Sequence, residues 1–444
     1  MKAFKIILII VLCLVCAVGG FFAIREYRQN QEIKNNLAQA EALYAAGDYE
    51  SAKLWYAKNG LSDKMELCDR KQLEKEYDAA AALFDSGDYE NAKAAFTSLA
   101  GYSDSEDYIT RCDFMLAKAV ADSGELYSAI SMLDRLGSYP EALELAAELR
   151  HELYLQAQQL AYECRMDEAI ELLVKLGDDA DAQRLMRRCK DWKEKSAAGY
   201  EKPILDPYRV TYTGETGKVY TTTIGPVYVP DECSSETRCL IFYPGGYDEA
   251  LPNGYFWQFF QSTNANAICV FSLTNGYFGM DIRAESAYQI LEQIAIERGV
   301  FLHDMVVSGV SMGGYTAMHS IVDYYVNHDL SVKTALIFDA GNDWLEIDHI
   351  LSAEDCDIAA EVGTEFYLFE GPREGMNKTA IRTMVIHGCN VSVVKCENWA
   401  HDSMVPDAMI LGIFDYYLGA KKEVVSLNYT YYPLDKDSLY PYED

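Results

Sequence analysis

The sequence predicts a multidomain chain. A single N-terminal apolar helix (residues 1–30) comes first, then an α-helical repeat array (31–195), then an α/β domain with a mostly parallel central sheet (200–420) and a Tyr-rich acidic tail (421–444). Three observations predict it. Residues 6–24 carry no charge. A Gly-Asp-Tyr-Glu phrase recurs at an interval of about 40 residues, the mark of stacked repeats. From Tyr200 onward, Ala/Leu/Glu periodicity gives way to short β-branched and aromatic runs that alternate with helical stretches, which requires a largely parallel sheet.

Composition bounds the possible functions. Of the 444 residues 50% are hydrophobic and 24% charged, which is globular and excludes collagen-like, wholly disordered and multi-span membrane chains. Lys and Arg number 38 against 69 Asp and Glu, a formal charge of -31. Such a surface repels phosphate backbones, so no nucleic-acid partner is expected. The 12 cysteines are too sparse for a disulfide scaffold. Cys13 and Cys16 lie in the apolar run, and the rest show no Cys-x-x-Cys pair and no Cys/His spacing suited to zinc. No metal or organic cofactor is called for.

The apolar run IILIIVLCLVCAVGGFFAI spans about 28 Å as a helix, close to a bilayer core of about 30 Å. It is apolar all round, unlike a core helix with one polar side. A cleaved signal would have a shorter run followed by small residues, and Leu12 and Val15 are too large to precede a lipoprotein cysteine. A membrane anchor is therefore expected. Lys2 and Lys5 on one side, against Arg25 and Arg28 diluted by Glu26 on the other, favour the N-terminus inside and the bulk on the extracytoplasmic side.

The repeat phrase occurs as Gly47-Asp48-Tyr49-Glu50-Ser51-Ala52 and Gly87-Asp88-Tyr89-Glu90-Asn91-Ala92. Weaker copies begin at Gly124 and, with Gly replaced, at Cys164. Each follows one Ala/Leu-rich segment and precedes another. Gly ends the first helix in a left-handed conformation, and the small Ala lets the two helices approach. A third short helix is expected to round off each unit, as in YSDSEDYITRC. The array resembles tetratricopeptide-type repeats with an extended period; an irregular helical bundle is the alternative. The resemblance implies a docking site for a protein partner or a spacer.

In the α/β region VTYTGETGKVYTTTIGPVYVPD reads as a hairpin or meander. Strands are expected at 238–243, 267–273, 305–309, 334–339, 365–370 and 391–397, with helices at 282–298, 312–327, 379–389 and 405–418. Between a β run (MVVSG) and a helix (YTAMHSIVDYY) stands Gly309-Val310-Ser311-Met312-Gly313. This fits Gly-x-Ser-x-Gly in the strand-turn-helix context of a nucleophile elbow. Glycine neighbours remove the Cβ atoms that would clash in so sharp a bend, and the following helix aims its amides at a developing negative charge.

On these residues the domain resembles a compact esterase-like α/β-hydrolase. The resemblance implies an oxyanion loop, nucleophile, acid and histidine in that chain order. Tyr243-Pro244-Gly245-Gly246-Tyr247 stands where such esterases often carry His-Gly-Gly-Gly; Pro replaces the His, but backbone amides of Gly246 and Met312 still supply an oxyanion hole. Of seven histidines only His401, four residues beyond the last expected strand, has the implied position. The acid follows the penultimate strand, where Glu374 lies three residues after Gly371; Glu370 and Asp339 are the alternatives. Aromatic residues (Tyr247, Tyr255, Phe256, Trp257, Tyr277, Phe278, Trp399) crowd the implied rim, and no insertion is large enough for a lid.

The resemblance implies a Ser311–His401–Glu374 triad, an acyl-enzyme, and a small-molecule ester or acylated substrate. An acyltransferase would use the same triad. A hydrolase fold without activity, with the repeats binding partners as a scaffold, is the competing function; the intact elbow speaks against it and the Pro in the oxyanion loop speaks for it.

Overall fold

The computed structural model describes residues 2–199, 210–214, 216–222, 224–244, 265–272, 280–338, 351–371, 378–396, 407–419 and 429–434. The chain divides into two compact units, Met1–His151 and Glu152–Asp444.

In the first unit, α1 (Lys2–Ala45) is one uninterrupted helix. It contains a stretch long and apolar enough to cross a membrane, with a mean hydropathy of 3.1, and its apolar side chains are exposed. No break separates the apolar run from the first repeat helix, because Arg25–Ala45 contains neither Gly nor Pro. Then follow α2 (Tyr49–Lys58), α3 (Ser62–Asp85), α4 (Tyr89–Ser98), α5 (Ser105–Asp122), α6 (Leu126–Asp134) and α7 (Pro140–Tyr162), which crosses into the second unit. Gly47, Gly87 and Gly124 have φ of 77°, 85° and 88°, the left-handed helix ends expected of them. Asp48 and Asp88 cap the helices that follow, accepting from the amides of Ser51 at 3.1 Å and Asn91 at 3.4 Å. Ala40 and Ala52, Ala80 and Ala92, and Ala117 and Ala129 are fully buried, and Tyr56, Phe96 and Leu133 follow at equivalent positions in the core. The expected third short helix is not separate. It runs on into the first helix of the next unit, as in α3 and α5, because no Gly or Pro lies between them.

The second unit begins with one more helical pair, α7 with α8 (Met166–Lys175), and then α9 (Ala180–Ala198). Cys164 stands where the other copies have Gly and still adopts φ 58°. Beside α9 lies an extended sheet. Strands β1 (Val210–Thr213), β2 (Gly217–Thr221) and β3 (Pro226–Pro230) form the expected antiparallel meander. They are followed by β4 (Arg238–Tyr243), β5 (Ala267–Phe271), β6 (Met305–Val310), β7 (Val332–Phe338), β8 (Glu365–Glu370), β9 (Asn390–Cys396) and β10 (Tyr429–Leu434). The spatial order is β1-β2-β3-β5-β4-β6-β7-β8-β9-β10, and β4 to β9 run parallel.

Because β4 to β9 are covered on both sides, their side chains are apolar in both directions. On one face Ile241, Val307, Ile337 and Val393 pack with residues of α10 (Met280–Glu297), α11 (Met312–His328), α12 (Ala353–Val362) and α13 (Lys378–Ile386). On the other, Leu240, Phe242, Leu336 and Phe369 pack with Ile413 and Phe414 of α14 (Asp407–Tyr417). Two elements were not expected. Helix α12 opens on a capping box between Ser352 and Asp355. Strand β10 falls in the Tyr-rich tail and pairs antiparallel with β9 from Tyr429 opposite Cys396 to Leu434 opposite Val391. Helix α13 stops short of the expected residue 389 because the chain turns at Gly388, φ 90°.

Helix α9 makes polar contacts with α10 and with the turns that follow α10 and α11. Arg187 donates to Asp329 in a two-pronged pair, 2.7 Å on each arm. Trp192 donates to the Val300 carbonyl at 3.3 Å, Lys195 to Glu292 at 2.8 Å, and Arg188 to the carbonyl of Leu302.

Candidate active site

Strand β6 ends at Val310, and the next residue bends the chain into α11. Ser311 has φ 53° and ψ -124°, a combination away from the left-handed helical well that Asp329 occupies at φ 52° and ψ 24°. Holding a non-glycine residue there costs about 1–3 kcal/mol, which the surroundings must supply. They do so from three sides. The Ser311 amide donates to the Phe338 carbonyl at the end of β7, 2.9 Å away, and the Gly314 amide donates back to Ser311 at 3.0 Å. A Cβ on Gly313 would overlap the Tyr243 carbonyl and Pro244 at the end of β4. A Cβ on Gly309 would overlap the backbone of Gly313 and Gly314. Both glycines of the motif are therefore required by close approach, not by turn geometry. The Ser311 hydroxyl makes no capping hydrogen bond to α11.

The strand order places this bend where ligands bind in open α/β sheets. From β4 the chain goes to β5 on one side, while from β6 it goes to β7 on the other. Strands β4 and β6 are neighbours, so the crevice beyond their carboxyl ends is the topological switch point. Ser311 sits at its mouth, on the N-terminus of a 17-residue helix whose first amides have no intrahelical acceptor. Beneath it the hydroxyls of Tyr243 and Tyr324 are 2.6 Å apart and Tyr324 donates to the Ala284 carbonyl at 2.9 Å, which ties β4, α11 and α10 together. Sequence reasoning missed this tie. It joins three distant segments and leaves no local pattern.

Of the other candidates, Met312 opens α11 directly after Ser311. Gly246, Glu374 and His401 lie outside the described residues, as do Asp339 and the aromatic rim residues Tyr247, Tyr255, Phe256, Trp257, Tyr277, Phe278 and Trp399. Glu370, the alternative acid, is described: it is 1% exposed at the end of β8 and forms an ion pair with Lys395, its register partner on β9. Three histidines are engaged away from the elbow. His303 stacks on Tyr162 and contacts the Ser235 carbonyl at 2.8 Å, His328 contacts Glu285 at 2.8 Å, and His387 contacts Asp357 at 2.7 Å. Among the described residues no group of three His, Cys, Asp or Glu side chains is arranged to hold a metal ion.

A mostly parallel sheet carrying a strained serine at its switch point is consistent with the α/β-hydrolase architecture. No family model and no curated protein matches the chain. Among solved structures it is similar to an esterase from Rhizomucor miehei, at 12% identity over 52% of this chain and 90% of that one, TM-score 0.31. It is similar to carboxyl esterase 2 from Tuber melanosporum, at 16% identity over 50% and 90%, TM-score 0.34. Est1E from Butyrivibrio proteoclasticus matches at 14% identity over 47% and 100%, TM-score 0.30.

Proposed function

We propose that the chain is a membrane-anchored serine hydrolase that cleaves carboxylic esters through Ser311, His401 and Glu374. The observation that carries this reading is the Ser311 bend, a strained backbone held from three sides at the switch point of the sheet. Strain of this kind persists where a side chain must be presented in one direction. In this scheme residues 1–30 are the anchor, 31–195 a tetratricopeptide-like array that docks a partner or spaces the enzyme from the membrane, 200–420 the hydrolase domain and 421–444 the tail.

Chain reach supports the triad. The carboxyl ends of β4, β6, β8 and β9 all lie at one edge of the sheet, and the segments bearing Gly246, Glu374 and His401 leave from those ends. Strand β9 is three places from β6, about 14 Å at ~4.8 Å per strand. The five residues from Cys396 to His401 span at most about 17 Å. Glu374 has to bridge only two places, about 10 Å, with four residues worth about 13 Å.

In the reaction, His401 accepts the Ser311 proton as the oxygen attacks the ester carbonyl. Amides of Met312 and Gly246 receive the oxyanion, while Glu374 holds the imidazole and stabilises its cationic form. His401 then protonates the departing alcohol, and water repeats the sequence on the acyl-enzyme. Turnover of short p-nitrophenyl esters by the detergent-solubilised full chain tests the reading. Ser311→Ala and His401→Ala are each expected to lower kcat by about 10³-fold or more. Folded variants that turn over at the wild-type rate would overturn it.

A further inference from the structure

Outside the candidate site, one pair of nucleophilic side chains is held together. Cys356 lies in the first turns of α12 and is fully buried; Cys389 immediately precedes β9 and is 5% exposed. The Cys389 thiol donates to the Cys356 carbonyl at 3.3 Å. Interaction with the Cys389 side chain draws the Cys356 thiol below its ordinary value. Two adjacent contacts fix the same approach. His387 meets Asp357 at 2.7 Å, and a Cβ on Gly388 would touch that of Ala360 at 3.8 Å. Residues 387–389 are thus laid along one face of α12, with one thiol from each segment at the centre.

Cys164 packs beside Cys189 in one cluster and Cys233 beside Cys239 in another, with no hydrogen bond between either pair. Cys239 and Cys269 belong to neighbouring strands but occupy opposite faces of the sheet, packing in different cores. A bridge between them would have to pass through the sheet. Cys356 and Cys389 belong instead to one core on one side of the sheet.

We propose that Cys356 and Cys389 are a disulfide-forming pair, a covalent staple between α12 and the root of β9 that closes when the chain meets a disulfide donor. The Cys356 thiolate attacks one sulfur of the donor R–S–S–R, forming a mixed disulfide and releasing one thiolate. The Cys389 thiolate then attacks the Cys356 sulfur and releases the second. The donor takes up the two electrons, and the two thiol protons pass to the released thiols. Both sulfurs are buried, so exchange takes place during folding or when the 387–389 turn lifts from α12. The staple lies on the opposite side of β9 in sequence from His401 and is independent of the esterase reading.

The full chain in detergent, unfolded and refolded in a glutathione/glutathione-disulfide buffer and then alkylated, tests this by non-reducing peptide mapping. The expected result is a cross-linked peptide pair containing Cys356 and Cys389, lighter by two hydrogen atoms than its parts. The oxidised protein should also melt several degrees above the reduced one. Cys389→Ser should lose the cross-link and leave the Cys356 thiol open to alkylation. Full alkylation of both thiols in the oxidised, refolded wild type overturns the proposal, as does pairing of either with another cysteine. The wild-type map decides the matter even if the variant does not fold.

Discussion

Replacing Gly313 by Ala tests how the elbow is built. The added methyl meets the carbonyl of Tyr243 and the carbon of Pro244, both backbone at the end of a buried strand. Ordinary contact lies at 3.4–4 Å, and the new carbon would start more than an ångström inside it. Neither side chain rotation nor a shift of β4 can make room, because β4 is held by β5 and β6 on its two edges. The first turn of α11 must therefore retreat, carrying Ser311 with it. Overpacking of this sort costs about 1–3 kcal/mol. For a unit of this size that is a fall in melting temperature of roughly 2–12 °C. Displacing a nucleophile by about 1 Å costs about 10²-fold in rate. Thermal melts followed by circular dichroism, alongside steady-state ester hydrolysis, measure the two effects. A Gly313→Ala protein with unchanged melting temperature and unchanged kcat/KM would refute the claim that close approach to β4 sets the position of Ser311.

Three other outcomes follow from named contacts. Ser311→Gly should be inactive yet more stable than Ser311→Ala by about 1 kcal/mol in urea titrations, because glycine relieves the positive φ. Asp329→Asn should cost about 1 kcal/mol, since Asn tolerates the same backbone but loses the charge on a pair whose Arg187 is half exposed. The Arg187 hydrogen bonds hold the Asp329 carboxyl below its ordinary value of 3.8, so that contribution is full above this value and fades as pH falls through the depressed one; urea titrations at neutral and strongly acid pH should differ for wild type and converge with the variant. Glu370→Gln removes the buried carboxylate that Lys395 meets and should cost about 2 kcal/mol, whereas Glu374→Gln should spare stability and lower kcat; equal stability of the two variants would contradict the separation of a structural and a catalytic carboxylate.

What was legible in the sequence was what is encoded locally. Gly309, Ser311 and Gly313 stand between an apolar run and a helix, so the bend could be read from five residues, and the structure shows it with the positive φ on Ser311. Gly47, Gly87 and Gly124 were legible for the same reason, since a helix end with φ above zero selects glycine. The meander and the six parallel strands followed from turn residues and β-branched runs. What was not legible depends on distant partners. Tyr429–Leu434 is a strand only because β9 offers it an edge, and its Tyr-rich composition reads equally well as a tail. Helix α12 begins at a four-residue capping box that chance produces often. The fusion of neighbouring repeat helices into α3 and α5 is signalled only by a missing glycine or proline, an absence that is easy to overlook. The docking of α9 through Arg187, Arg188 and Trp192 joins residues more than a hundred positions apart.

The central claim, that Ser311 is an activated nucleophile, is tested most directly by reacting the solubilised full chain with a fluorophosphonate and locating the adduct by tandem mass spectrometry. One equivalent of label on Ser311, lost on prior heat denaturation and in His401→Ala, is the predicted result. A folded protein that takes up no label, or carries it on a different serine, would contradict the account.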